Sequence, residues 1–143
     1  MSYTYRYPRP MVTADALVLC SREGEWYILL VQRAHEPFRG MWALPGGFME
    51  MDERLEETAR RELEEETGLQ AGRMEFAGLF DRPDRDPRGR TITAVYVTTL
   101  KECSSPTAGD DASTAQWFPL HDLPPLAFDH EEIIRTVLTT VSE

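Results

Sequence analysis

At 143 residues, with 25 acidic against 15 basic side chains and a net charge of −10, the chain suits one domain large enough for a real core. That balance excludes the broad basic surface nucleic acid needs, and no apolar stretch is long enough to cross a membrane. Cys20 and Cys103, with no C-x-x-C spacing and no histidine cluster, support neither a disulfide nor a zinc site, so a reducing cytoplasm is the expected setting. Residues 1–10 (MSYTYRYPRP) lack the apolar run of a signal peptide. They read as an arm packed on the domain or on a second subunit, or equally as a loosely attached terminus. Met11 to Cys20 and Trp26 to Arg33 read as strands joined by the turn SREGE. The second is apolar on both faces, as a covered central strand is. Arg33, at its exit, either reaches into a site or is an ordinary strand-end arginine. Residues 34–45 form a loop whose Trp42 and Leu44 are expected to pack under the helix that follows.

That helix organises the chain. After Gly46-Gly47, the acidic run reads as a helix from about Glu53 to Thr67, with Asp52 as N-cap and Gly68 as the left-handed residue past its end. At about 100° per residue, Leu55, Ala59 and Leu63 form one apolar stripe. Glu57 and Glu64 point away from it, as a solvated face does. Glu62 and Glu66 lie along the core-facing edge, with Glu65 beside them, at the end of the helix where the dipole disfavours anions. Like charges three and four residues apart repel. A divalent cation would offset that, and hard oxygen ligands suit Mg²⁺ or Mn²⁺. The glycine pair offers unusual backbone geometry, for a carbonyl aimed at a metal or for an anion cradle.

Gly47, Glu53, Arg61, Glu62, Leu63, Glu65, Glu66, Gly68 and Leu69 fall at every specified position of G-x5-E-x7-R-E-U-x-E-E-x-G-U, where U is a bulky aliphatic. The segment 47–69 therefore resembles the Nudix box, and the preceding W-x-L-P-G-G resembles that family's usual approach to it. The resemblance implies an α/β fold of the Nudix type: an α/β/α sandwich with a mixed β-sheet, the box helix on one side and a C-terminal helix on the other, as a single domain over 1–143. It implies hydrolysis of a nucleoside diphosphate linked to another moiety. It also implies Mg²⁺ or Mn²⁺ held by Glu62, Glu65, Glu66 and the Gly46 carbonyl. In the family pattern Glu53 and Arg61 pair and brace the box. Either the arginine bends back, or Glu53 precedes the regular helix.

Downstream, Arg73 to Phe80 and Arg90 to Leu100 read as strands, the second rich in β-branched residues. Between them, DRPDRDPRG composes as a solvated loop with internal ion pairs. The run GLFDRPDRDPRGRTITAVYV resembles bacterial ADP-ribose pyrophosphatases and the ADP-ribose-sensing domain of Nudix-type regulators. That makes Arg82, Arg85 and Arg88 candidates for substrate contact, with Arg33, Arg39 and Phe48, and Asp84 or Asp86 candidates for a further acid. In the polar loop 101–114, Asp110-Asp111 suits a turn cap, and Asp111 is a secondary acid candidate. Ala115 to Leu120 is a short strand anchored by Trp117. Asp129 begins a D-x-x-E cap for a core-packing helix bearing Ile133, Ile134, Val137, Leu138 and Val141, with His130 on its surface.

The expected reaction is metal-dependent cleavage of ADP-ribose to AMP and ribose 5-phosphate. Glu62, Glu65, Glu53 and Arg61 form the catalytic set, with Glu65 as the leading choice for general base. The alternatives are another nucleoside diphosphate derivative, or a module that senses ADP-ribose without cleaving it. The ADP-ribose group also implies a homodimer with a small-molecule substrate.

Overall fold

The computed structural model describes residues 4–109 and 112–141. Its frame is one mixed sheet. Along it run β3 (Trp42–Ala43), β2 (Glu25–Arg33), β1 (Met11–Arg22), β6 (Thr91–Thr99) and β5 (Glu75–Phe80), with β4 (Gly46–Phe48) also paired to β1 and β7 (Ala112–Pro119) also paired to β2. Helix α1 (Leu55–Thr67) covers one face and α2 (His130–Val141) the other, so the sandwich expected from the sequence is the observed architecture. The one parallel pair among named strands is β1 with β6, in register from Met11↔Thr91 to Leu19↔Thr99.

Strand β1 is buried from Thr13 to Leu19 and through Cys20, because both its faces are covered. Alternation divides it. Ala14, Ala16 and Val18 meet Ala59 and Leu63 of α1, while Leu17 and Leu19 meet Ile133, Ile134 and Val137 of α2. The small side chains of Ala14 and Ala16 let α1 come close to the sheet. Trp42 and Leu44 belong to the α2 cluster, not under the box helix as the sequence suggests. Neighbouring residues of a short strand project to opposite faces, and proximity in sequence does not say which face α1 occupies.

Helix α1 begins at Leu55, two residues later than expected. Arg54 is its N-cap, and its N–H is accepted by Glu57 Oε1 at 2.8 Å. Asp52 therefore lies in the preceding turn and not at the cap. Gly68 closes the helix as expected, at φ 73°, its N–H bonded to Glu64 O. Strands β3 and β4 fall in what reads as loop, since two and three residues are too few for a period to show.

Two further expectations are corrected. Cys20 and Cys103 are joined in a disulfide, with Cα atoms 5.5 Å apart across a sequence separation of 83. Spacing in sequence gives no hint of a pair brought together only by the parallel β1–β6 crossover. It also removes the ground on which a reducing compartment was expected. His130 is buried, not on the surface, because the segment just before α2 pairs with β3 at Trp42 and brings the ring against Leu44. Asp129 stands at the start of α2, its carbonyl accepting the Ile133 N–H at 3.0 Å, while both its side-chain oxygens accept from Arg85. Residues 4–10 are exposed, with Arg9 stacked 4.0 Å from the Tyr5 ring. Asp110 and Asp111 lie outside the described residues. No described helix is long and apolar enough to cross a membrane.

Candidate active site

Arg61 is the hub of the α1 side. Its Nε donates to Glu53 Oε2 at 2.6 Å and its Nη2 to Glu53 Oε1 at 3.0 Å and Phe48 O at 3.1 Å. Its Nη1 donates to Glu62 Oε1 at 2.8 Å and Glu65 Oε2 at 3.1 Å. One planar cation thereby ties the β4–α1 connection to three acids. Glu53 precedes the regular helix, which settles the alternative the sequence leaves open. It also accepts from Glu50 N and Thr58 Oγ1. The hydrogen bonds from Arg61 hold its carboxyl down to about 2.

Glu66 faces the other way, into the protein, and its Oε1 accepts the Gly46 N–H at 2.9 Å. The glycine pair is a matter of room and not of dihedral angle. Neither residue has positive φ, but a Cβ on Gly46 would stand 1.9 Å from Asp15 Oδ1, and one on Gly47 would stand 2.6 Å from Glu62 Cδ. Carboxyls therefore press on β4 from both sides. Burial pushes Glu66 up to about 9, with Glu62 and Asp15 adding to it. Burial likewise raises Glu62, and raises Asp15 to about 7.

Beneath them lies a polar floor of which sequence reading finds only Arg85. Asp15 is buried on β1, and His130 Nε2 stands 3.4 Å from its Oδ2. His130 Nδ1 accepts the Leu44 N–H at 3.0 Å, so the ring proton sits on Nε2, toward Asp15. Burial lowers the imidazole to about 4 and keeps it neutral. Thr13 and Thr93 share a 2.6 Å hydrogen bond across the parallel pair. Arg85 Nη1 donates to Thr93 Oγ1 at 2.6 Å, while its Nε and Nη2 grip both oxygens of Asp129 at 2.9 and 2.7 Å. The side chains of this pair are 3% and 9% exposed, so it is a buried, fully hydrogen-bonded ion pair.

The facing wall alternates guanidinium and ring. Arg88 lies 5.1 Å from the centroids of both Phe48 and Phe128, and Arg33 lies 4.9 Å from that of Phe128. Asp86 clamps Arg88 through both carboxylate oxygens. Burial opposes its charge, yet those hydrogen bonds hold Asp86 below the usual carboxylate range. Arg33 donates its Nε to Pro37 O at 2.7 Å, and among the described residues no carboxylate lies in ion-pair reach of it. Between the acids and this wall is a cleft of about 460 Å³.

Of the residues singled out in the sequence, Gly46, Phe48, Arg61, Glu62, Glu66, Arg33, Arg85, Asp86 and Arg88 line that cleft. Glu53 stands behind Arg61. Glu65 points outward, its side chain 59% exposed, held by Arg61. Arg39 is exposed and off the cleft, as are Arg82, which pairs with Glu132, and Asp84, whose side chain is 87% exposed. Arg82 and Asp84 are turned away from the side of their loop that carries Arg85, Asp86 and Arg88, and Arg39, in the separate loop before β3, faces solvent. Residues added by the fold are Asp15, Thr13, Thr93, Glu50, Phe128 and His130.

Among the described residues no trio of His, Cys, Asp or Glu is already gathered as a metal cage. The donor set nonetheless fits a divalent ion: part-buried hard-oxygen groups on α1, raised by burial and by neighbouring carboxyls, beside the backbone of β4.

Comparison with known proteins gives a consistent picture. Residues 9–137 match the NUDIX domain. The chain is similar to an ADP-ribose pyrophosphatase of Methanocaldococcus jannaschii, 44% identical over 90% of this chain and 73% of that protein. It is similar to the ADPR responsive transcriptional repressor NtrR of Acinetobacter baylyi, 32% identical over 90% of this chain but about half (53%) of the repressor. Its fold is similar to the NUDIX domain of Shewanella oneidensis NrtR complexed with ADP ribose, at a TM-score of 0.88 and 32% identity, covering 94% of this chain and 90% of that one.

Proposed function

The chain belongs to the NUDIX domain family, and we propose that it is a metal-dependent hydrolase that splits ADP-ribose into AMP and ribose 5-phosphate. One observation carries this reading. Across a single cleft, inward-turned Glu62 and Glu66 face Arg33 and Arg88, so one wall suits a cation and the other an anion. A metal-bound diphosphate is complementary to both.

Mg²⁺ or Mn²⁺ held by Glu62, Glu65, Glu66 and the Gly46 carbonyl would neutralise phosphoryl charge and lower the pKa of an attacking water. The protein's own work is positioning. Glu53 locks Arg61, and Arg61 in turn orients Glu62 and Glu65. Arg33, free of a carboxylate partner among the described residues, takes a phosphate oxygen. Arg88, fixed by Asp86 and flanked by two rings, supplies a second contact and a flat face for the substrate. Among the acids weighed as base, Asp84 stands off the cleft and Asp86 is consumed by Arg88. Glu65 is also absent from the cleft lining, but it shares the Arg61 Nη1 donor with the inward-turned Glu62, and on that proximity we assign it the proton. A homodimer belongs to the same proposal and is tested by sedimentation.

The similarity to an ADP-ribose-responsive repressor favours a second reading, binding without turnover. Hydrolysis assays with chromatographic identification of the products, over ADP-ribose, NADH, dinucleoside polyphosphates and nucleoside triphosphates, with Mg²⁺ and with Mn²⁺, separate the cases. ADP-ribose should yield AMP. Turnover confined to triphosphates rejects the substrate, and tight binding without cleavage establishes the sensor.

A further inference from the structure

The buried imidazole at the start of α2 is linked to the acids at the end of α1 by an unbroken run of contacts. The segment before it is fixed first. Trp42 N donates to Pro125 O at 3.0 Å and Ala127 N to Trp42 O at 2.8 Å, so residues 125–127 run along β3 as an added strand-like edge. This delivers His130 to the junction of β3 and β4. There Nδ1 accepts the Leu44 N–H at 3.0 Å, and Nε2 lies 3.4 Å from Asp15 Oδ2. Asp15 is the register partner of Gly46 on β4, and its other oxygen stands where a Gly46 Cβ would be, at 1.9 Å. Gly46 N–H in turn holds Glu66 Oε1 at 2.9 Å.

Two features make this more than a satisfied core histidine. The ring touches β4's approach at Leu44 and β4's partner strand at Asp15, so it sets the gap into which the Gly46 peptide must fit. That gap has no slack, since even one methyl would overlap the carboxylate. A shift of Asp15 or Leu44 must therefore move Gly46, and with it the hydrogen bond that points Glu66.

We propose that His130 is a positioning residue for the cation site, fixing Gly46 through Leu44 and Asp15 and thereby aiming Glu66. This rests on the reading of Gly46 and Glu66 as ligands given above. It adds that α2, a helix otherwise devoted to the core, determines how well that ion is held.

The test measures Mn²⁺ affinity of the whole protein by electron paramagnetic resonance of free Mn²⁺, without nucleotide, so that turnover plays no part. His130→Phe keeps a ring but loses both links. His130→Asn keeps an acceptor for Leu44 and loses the reach to Asp15. Ile134→Val, a buried change in the same helix, is the structural control. Expected are a tenfold or greater loss of Mn²⁺ affinity in His130→Phe, a smaller loss in His130→Asn, and less than twofold in Ile134→Val at comparable melting temperature. The ADP-ribose KM at saturating Mn²⁺ should move less than twofold in Ile134→Val, which lies off the cleft. Folded His130→Phe with wild-type Mn²⁺ affinity overturns the proposal. If His130→Phe does not fold, wild-type affinity in His130→Asn overturns it. Wild-type protein with no Mn²⁺ site overturns the ligand reading itself, a result distinct from either.

Discussion

Helices α1 and α2 flank the same sheet and reach the same cleft from opposite faces, yet they contribute differently. Helix α1 brings its chemistry on its own surface: Arg61, Glu62, Glu65 and Glu66 all lie within its last two turns. Helix α2 brings almost none along its length, where Ile133, Ile134 and Val137 fill the core. Its contribution is confined to its first residue and the two before it, Phe128, Asp129 and His130. A dense run of charges on one helix defines what the site can hold. A few buried groups at the threshold of the other define where the surrounding strands sit.

The contrast can be broken at its strongest point first. Glu66→Gln removes a carboxyl ligand from the α1 cluster while keeping a side-chain oxygen for the Gly46 N–H. Because even groups outside a metal's ligand set cost about 10–100-fold, turnover should fall by at least about 100-fold. AMP release from ADP-ribose with Mn²⁺ measures it, with circular dichroism to verify the fold. Activity near wild type would remove the cation from α1. On the α2 side, Asp129→Asn strands the buried Arg85 guanidinium, and stability should drop by about 3–5 kcal/mol in urea unfolding. A loss below 1 kcal/mol would mean that Arg85 finds another partner and that the α2 threshold is not a structural anchor.

Smaller effects sharpen the picture. Arg88→Ala should raise the ADP-ribose KM about tenfold, roughly 1.4 kcal/mol, with little change in Mn²⁺ affinity. Arg39→Ala, off the cleft, should leave both unchanged; equal effects from the two would contradict the geometry. The smallest change concerns pH. Glu53 sits at about 2 in the folded chain against an ordinary 4.5, so its pairing stabilises above pH 4.5 and that contribution disappears as pH falls toward 2. The melting temperature of Glu53→Gln should lie below wild type at pH 6, and the gap should close between pH 5 and pH 2. A constant gap would assign the loss to packing instead.

The same asymmetry governs what the sequence reveals. The box helix was legible because nine spaced residues, an apolar stripe and a closing Gly68 all agree. Arg33 and Arg88 were legible as arginines at a strand exit and in a charged loop. Asp15 was not, since one acid inside MVTADALVLC reads as a strand irregularity. His130 reads as a surface residue, for want of any local sign that its position at the start of α2 is buried. Arg39, Arg82 and Asp84 had the right chemistry, but neither composition nor spacing says which side of a loop faces the cleft. The disulfide depends on a pairing of strands about 80 residues apart, which no local pattern encodes.

That same parallel pairing has a kinetic corollary. Thr13 and Asp15 come from the first strand, Thr91 and Thr93 from the sixth, and they meet only through a register that closes a very large loop. Contacts so distant in the chain form late, because the entropy of closure must be met before they return anything. The α1 helix can coil early on its own local signals, but the floor beneath it cannot exist until the chain has nearly finished folding. Acquisition of Mn²⁺ affinity during refolding should therefore trail the recovery of helical signal, making the ion a reporter of the last step and not the first.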